Sequence, residues 1–257
     1  MAVKNRFISN KEAAPVVETD VFKDAKDRQF ALICFGMGLR ENDPLFDAYL
    51  RLRANVYVDQ TGMLPKEAVR DDGTEIDNDD DRSVSYLVLE NLGQSRAGKI
   101  QKAAAVSCMR LIHANGDSLP VGDFFGVDVE PSALEASRFI STIDNKPNQL
   151  RSIFEIFKSG LAYVKQEELG PVYAVVEPEL QQSLAFLGAP PEQLSDPKHV
   201  GEYNDINVGI KIDTDDMIEK MGGMEAIRQI DVSPDAVRYW GKYADISDEQ
   251  APNLRIA

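Results

Sequence analysis

The stretch AAAVSCMRLIH, residues 103–113, reads as a buried β-strand that carries one guanidinium, Arg110, in its apolar run. An isolated buried charge costs too much to persist, so Arg110 requires carboxylate partners. Immediately upstream, SVSYLVLE (residues 83–90) reads as a second strand. A Gly/Ser/Lys-rich turn joins the two, as in an antiparallel hairpin. Downstream, LEASRFISTI (residues 134–143) is a third strand with a second internal guanidinium, Arg138. The partners available to these arginines are Glu75, Asp77, Asp80 and Glu135, three of which lie in the acidic run that ends a charged loop over residues 63–82. A loop of that length inside a compact domain points to a functional role.

Further out, QFALICFG (residues 29–36) reads as a buried strand closed by Gly36 and Gly38. From Pro44 the apolar positions Leu45, Tyr49, Leu52 and Val56 recur at helical spacing. This predicts a helix with Asp43 as N-cap and Gly62 as its end, and Arg53 lies on it. Leu150, Phe154, Phe157, Leu161 and Val164 predict a second long helix between Pro147 and Leu169. VYAVV (172–176) is a strand, Glu179–Leu187 a short helix, and Gly201–Ile212 a last strand or hairpin. Two more helices are expected, one after Asp213 and one after Ser233-Pro234. The order is that of an α+β fold with a mixed, mostly antiparallel sheet flanked by helices. Residues 1–28 read as a polar N-terminal arm, 29–213 as the main domain and 214–257 as a helical C-terminal extension.

The formal charge of −15 opposes contact with nucleic acid or an anionic membrane. No segment has the length of an integral membrane span, and residues 1–28 lack the apolar core of a signal peptide, so a cytoplasmic location is expected. Cys34 and Cys108 both lie in apolar runs and read as small buried hydrophobes. Asp77, Asn78 and Asp79 have the oxygen chemistry of a calcium loop. Arg82 and Val88 stand where that loop needs glycine and glutamate, so no metal is expected.

The ordered set Arg53-x-x-x-Tyr57, Glu75-x-Asp77-x-x-Asp80, Tyr86-Leu87, Arg110-Leu111 and Glu135-x-Ser137-Arg138-Phe139 resembles the signature of acyl-homoserine-lactone synthases. It covers residues 44–143, and a fold-level resemblance continues to about residue 213. N-acyl amino acid synthases and exosortase-associated acyltransferases look similar here. The resemblance implies a GCN5-related N-acyltransferase-like fold. It implies acyl transfer from a thioester to the amine of a small metabolite, with quorum sensing as the setting if the product is a homoserine lactone. It also implies that Arg53, Glu75, Asp77, Asp80, Arg110, Glu135 and Arg138 form the polar active-site network, with Glu75 as general base. Tyr57, Met63, Ser137, Phe139 and Ile140 would contact substrate, with a backbone N–H of Ser137–Ile140 serving the oxyanion.

Two departures bear on the acceptor. Tyr57 and Met63 stand where homoserine-lactone producers usually have Phe and Trp, which leaves S-adenosylmethionine and an amino acid both open. No tightly bound cofactor is implied. The stretch Ser141–Gln149 lacks the Gly-rich loop with which related acetyltransferases grip coenzyme A, which favours an acyl carrier protein over coenzyme A as donor. Arg151, Lys158 and Lys165 recur every seven residues, with Lys146 just before them, and would form a carrier-docking stripe on the second helix. The reading of another class is a catalytically silent binding or scaffold relative.

Overall fold

The computed structural model describes residues 14–23, 28–94, 101–186 and 190–242. They form a mixed α+β fold whose sheet is mostly antiparallel and flanked by helices. The chain packs as two compact units. The first takes in the described residues of Met1–Arg110, Arg138–Ile156 and Ser233–Ala244, and the second those of Leu111–Ser137 and Phe157–Val232. Among the described residues no helix is long and apolar enough to cross a membrane.

In the first unit, β1 (Val16–Thr19) pairs antiparallel with β4 (Gln101–His113), and β2 (Phe30–Phe35) pairs antiparallel with β3 (Ser83–Gln94). Every residue of β2 is buried, as its unbroken apolar run requires of a strand covered on both faces. Helix α1 (Pro44–Ala54) starts where the sequence places it. Asp43 accepts from the N–H groups of Leu45 (2.9 Å) and Phe46 (3.3 Å), and Pro44 occupies the first turn, where no N–H is needed. The helix does not run on to Gly62 as an α-helix. Residues Asn55–Gln60 widen into a π turn, closed by Thr61 N–H on Val56 O at 3.0 Å, while the Thr61 hydroxyl takes the carbonyls of Val56 and Tyr57.

Two expectations about the ends are corrected. Within the stretch read as a polar arm, Val16–Thr19 is a strand and Phe22 is buried. The arm thereby supplies β4 residues 101–104 with a hydrogen-bonding neighbour. The helix expected after Ser233-Pro234 is instead strand β10 (Val237–Trp240), antiparallel to β2 from Val237↔Ile33 to Trp240↔Phe30. The local cap signal yields because the outer edge of β2 would otherwise leave backbone groups unpaired, and VRYW is rich in strand-forming residues. Trp240 stacks on Phe30 with ring centroids 5.6 Å apart, and Asp235 turns the chain while ion-paired to Arg40. The remainder of the arm and the tail beyond residue 242 lie outside the described residues.

Strand β5 (Leu134–Ser141) has residues in both units, and its part in the second runs parallel to β6 (Val172–Val176) through Leu134↔Val172, Glu135↔Tyr173 and Ala136↔Ala174. Strand β9 (Asp205–Ile212) is antiparallel to β6 and to the short strands β7 (Glu192–Gln193) and β8 (Lys198–Val200). Helices α2 (Pro120–Phe125), α4 (Pro178–Phe186), α5 (Thr214–Lys220) and α6 (Gly223–Arg228) belong to this unit, and α3 spans Lys146–Gln166. Ile112, Leu119, Val121, Ala133 and Tyr173 form its core cluster. The sequence reading missed α2, α6, β7 and β8, each too short to show a period.

Candidate functional site

The site is built in the first unit, where the 63–82 loop meets α1 and the two arginine-bearing strands. A 3₁₀ turn at Lys66–Ala68 and a bridge between Val69 and Glu75 fold the loop back on itself. Gly73 turns the chain with φ of 83°, a conformation that suits glycine, and Asp72 ties the turn by accepting from Thr74 N–H and Oγ1. Past the bridge, the extended run sends Glu75 and Asp77 towards the same side. A 3₁₀ turn at Asp80–Arg82 then brings Asp80 in beside them. Asp80 Oδ2 accepts from Asp77 N–H at 2.9 Å, which fixes the spacing of the two carboxylates.

These carboxylates close a ring with three guanidiniums. Arg53 grips Asp80 with two bonds, Nη1–Oδ1 2.5 Å and Nη2–Oδ2 3.0 Å, and its Nε donates to Glu75. Arg110 grips Asp77 in the same way, at 2.5 and 2.6 Å, and reaches Asp80 at 2.9 Å. Arg138 donates to Glu75 at 2.9 and 3.3 Å and to Asp77 at 2.8 Å. By hydrogen bonds each arginine thus serves two of these carboxylates and each carboxylate two arginines, so the six-membered ring is formally neutral, and Arg110 also lies 3.8 Å from Asp79. Paired guanidinium–carboxylate forks are the strongest form such contacts take. Arg53 also donates to the Tyr49 hydroxyl at 3.0 Å.

Burial is uneven around the ring. The side chains of Arg53 and Asp80 are fully buried and those of Glu75, Arg110 and Arg138 nearly so, whereas Asp77 is 29 % exposed. Asp77 is therefore the face the ring shows to solvent. Burial opposes ionisation of Glu75, but the guanidiniums of Arg53 and Arg138 outweigh it and hold its carboxyl down at about 2. The same balance, dominated after burial by Arg110, holds Asp77 well below the usual carboxylate range. Glu75 is thereby held as a carboxylate engaged by both guanidiniums.

Arg138 has φ of 52°, a left-handed conformation in the midst of β5, which costs a non-glycine residue about 1–2 kcal/mol. A left-handed residue inside a strand re-aims the local backbone and its side chain. The guanidinium also lies over the Tyr57 ring, 5.4 Å from its centroid, and the Tyr57 hydroxyl donates to Phe139 O at 3.2 Å. On the other side, the Cys108 thiol donates to Arg138 O at 3.4 Å. Burial pushes that thiol up to about 12, so it stays protonated.

Six of the seven residues expected in the polar network converge in this way. Glu135 is placed elsewhere. It is buried in the second unit, where its Oε2 accepts from Val121 N–H at 2.8 Å and caps the first turn of α2. Of the expected substrate contacts, Met63, Ser137 and Phe139 are half-buried and Ile140 is buried. Lys146 opens α3, Lys158 is half-buried, Arg151 pairs with Glu155 (2.5 Å) and Lys165 with Asp215 (2.7 Å), so two cations of the stripe already have carboxylate partners. At the start of α3 the Asn145 side chain accepts from Asn148 N–H at 3.0 Å. One of the donors that would grip a pyrophosphate is thereby used by the chain itself.

Tyr49 and Cys108 were not singled out as site residues. Their spacing offered a signal: Tyr49 precedes Arg53 by one helical turn, and Cys108 precedes Arg110 by one strand repeat.

No protein-family model matches the sequence, and no curated protein matches it. Solved structures do share the fold. TofI, in a ternary complex with an inhibitor and MTA, aligns with a TM-score of 0.56 at 18 % identity over 76 % of this chain and 98 % of its own. BjaI, a CoA-dependent acyl-homoserine lactone synthase with SAM and isopentyl-CoA, aligns at 0.53 and 19 % over 76 % of this chain and 90 % of its own. The AHL synthase LasI aligns at 0.52 and 16 % over 82 % and 96 %. The fold of this chain is thus one shared with acyl-homoserine lactone synthases.

Proposed function

We propose that this protein is an N-acyltransferase that moves an acyl group from a thioester to the primary amine of a small metabolite. The observation that carries the reading is the ring of three arginines and three carboxylates, built into a fold shared with acyl-homoserine lactone synthases and open to solvent at Asp77. An ammonium group is drawn to Asp77, and Arg138 beside it suits the carboxylate of an amino-acid-like acceptor. The free amine attacks the thioester carbonyl carbon, the new C–N bond forms and the C–S bond breaks. One proton leaves to water before attack, and a second goes to the departing thiolate. Glu75 acts in this scheme by holding Arg53 and Arg138 in place and not by taking the proton.

The acceptor we favour is S-adenosylmethionine, which BjaI binds. Its acylation and ring closure would release methylthioadenosine and an acyl-homoserine lactone, with an amino acid as the alternative. The donor is an acyl thioester of a carrier protein, in keeping with the self-capped start of α3, or of coenzyme A.

The test is to incubate the protein with acyl carrier protein thioesters or acyl-CoA, each with S-adenosylmethionine or amino acids, following free thiol and identifying products by mass spectrometry. Amine-dependent thiol release that is lost in Arg138→Ala is expected. No release in any pairing refutes the reading and leaves the silent scaffold. Charge reversal at Arg151, Lys158 and Lys165 is expected to raise KM for the carrier-bound donor alone.

A further inference from the structure

On the face of β4 opposite the ring, three buried hydroxyls stand in single file. Neighbours in a strand alternate between faces, so Ser107 points away from the side that carries Cys108 and Arg110. Its Oγ lies 2.9 Å from that of Ser141, the last residue of β5, and 3.0 Å from that of Ser152 on α3. Beside them Thr142 N–H and Oγ1 both donate to Val106 O, at 2.8 and 3.1 Å, and Gln149 Nε2 reaches Ser141 O at 3.5 Å. Ser107 and Ser152 are fully out of solvent, and Ser141, Thr142 and Gln149 nearly so. All of these residues belong to the first unit. A helix that needs only to pack on a sheet is served by apolar side chains, whose attraction has no direction. Hydroxyls in that position fix distances instead, because a hydrogen bond tolerates little change in length.

The spacing so fixed matters on the ring face. Arg110 is three residues on from Ser107, and Arg138 three back from Ser141. Both guanidiniums converge on Asp77, Arg110 at 2.5 and 2.6 Å and Arg138 at 2.8 Å. Like charges on neighbouring strands repel and work to part them. Burial and then the charge of Arg138 oppose the charge of Arg110, and Asp77 is the foremost group that offsets them. When an acceptor's ammonium group takes up part of Asp77, that offset weakens and the repulsion between the arginines grows. Arg138, with φ of 52°, leaves extended geometry, so past it the contacts at Ser141 and Thr142 hold β5 to its neighbour β4.

We propose that Ser107, Ser141 and Ser152 are positioning residues that hold β4 and β5 at a fixed spacing against the repulsion of Arg110 and Arg138, so that Asp77 keeps its place between them while it receives the acceptor's ammonium group. This rests on the acyl-transfer reading, in which Asp77 meets the acceptor and not the donor. Loosening the file therefore weakens acceptor binding and leaves kcat and the donor's KM nearly unchanged.

The experiment compares wild type with Ser107→Ala, Ser152→Ala and the double variant in amine-dependent thiol release, varying acceptor and donor in turn. The acceptor is S-adenosylmethionine or the L-amino acid that wild type acylates, and thermal melts followed by circular dichroism check that each variant is folded. Ser107→Ala breaks both bonds of the file and should raise the acceptor's KM roughly tenfold. Ser152→Ala breaks one and should raise it about threefold. It carries the test by itself if Ser107→Ala does not fold. The double variant should match Ser107→Ala within about twofold, because the file is already broken there. Donor KM and kcat should stay within about twofold throughout.

With wild type active, an unchanged acceptor KM in the folded single variants overturns the proposal. So does a loss that falls equally on the donor or wholly on kcat, or a double variant whose loss is the product of the two single losses. If wild type releases no thiol with any acceptor, the acyl-transfer reading fails, and this assignment with it. That failure is seen in wild type and so is distinct from the others.

Discussion

Glu75→Gln keeps the shape of the side chain and removes one charge from the ring. Glu75 accepts from Arg53 and Arg138, both almost wholly out of solvent, and its carboxyl lies at about 2 against an ordinary 4.5. That depression corresponds to about 3 kcal/mol of stabilisation near neutral pH. It agrees with the lower end of the roughly 3–5 kcal/mol lost when one member of a buried ion pair is removed, since Arg53 keeps Asp80 and Arg138 keeps Asp77. Because the folded-state value is depressed, the contribution is present in full above pH 4.5 and disappears as pH falls towards 2. At neutral pH, Glu75→Gln should therefore lower Tm by about 6–12 °C, and the gap between variant and wild type should close steadily below pH 4.5. Calorimetry of both proteins at steps between pH 7 and the acid limit of the folded state measures this. Equal Tm values at pH 7, or a gap that does not narrow with acid, would refute the account of how the ring is held.

Asp80→Asn should cost more than Glu75→Gln, about 4–5 kcal/mol in urea unfolding, because Asp80 is fully buried, serves Arg53 and Arg110 and also holds Asp77 N–H. A smaller loss than for Glu75→Gln would contradict the geometry. A chain ending at Val232 lacks β10, leaving β2 paired with β3 alone and unpaired along its other edge, and Phe30 without the stacked Trp240. It should form oligomers on size-exclusion chromatography through the exposed edge, and a monodisperse protein with unchanged Tm would speak against β10 as the edge cover.

Arg110 and Arg138 were legible as site residues because a guanidinium inside an apolar strand must find carboxylates, and the nearest acidic run supplied Glu75, Asp77 and Asp80. Glu135 shows the limit of that logic. The same need for a polar partner is met by the N–H of Val121, a backbone group that no side-chain pattern reveals. The tail shows a second limit, since Ser233-Pro234 is a good helix start and VRYW a good strand, and the unpaired edge of β2 chose between them.

By itself the sequence determined the apolar strands, the amphipathic α1 and α3 and the identity of five of the ring's six members as groups needing each other, because burial patterns and charge compensation are written in residue type and spacing. Arg53, the sixth, stood out on the first helix, and the order of motifs joined it to the others. Only the tertiary structure decided which carboxylate meets which guanidinium and that Asp77 is the most exposed of the six. It also decided that Arg138 adopts a left-handed bend held by Tyr57 and Cys108. Those features depend on distances between segments remote in the chain, and on a balance between burial and Coulomb attraction that has no local signature.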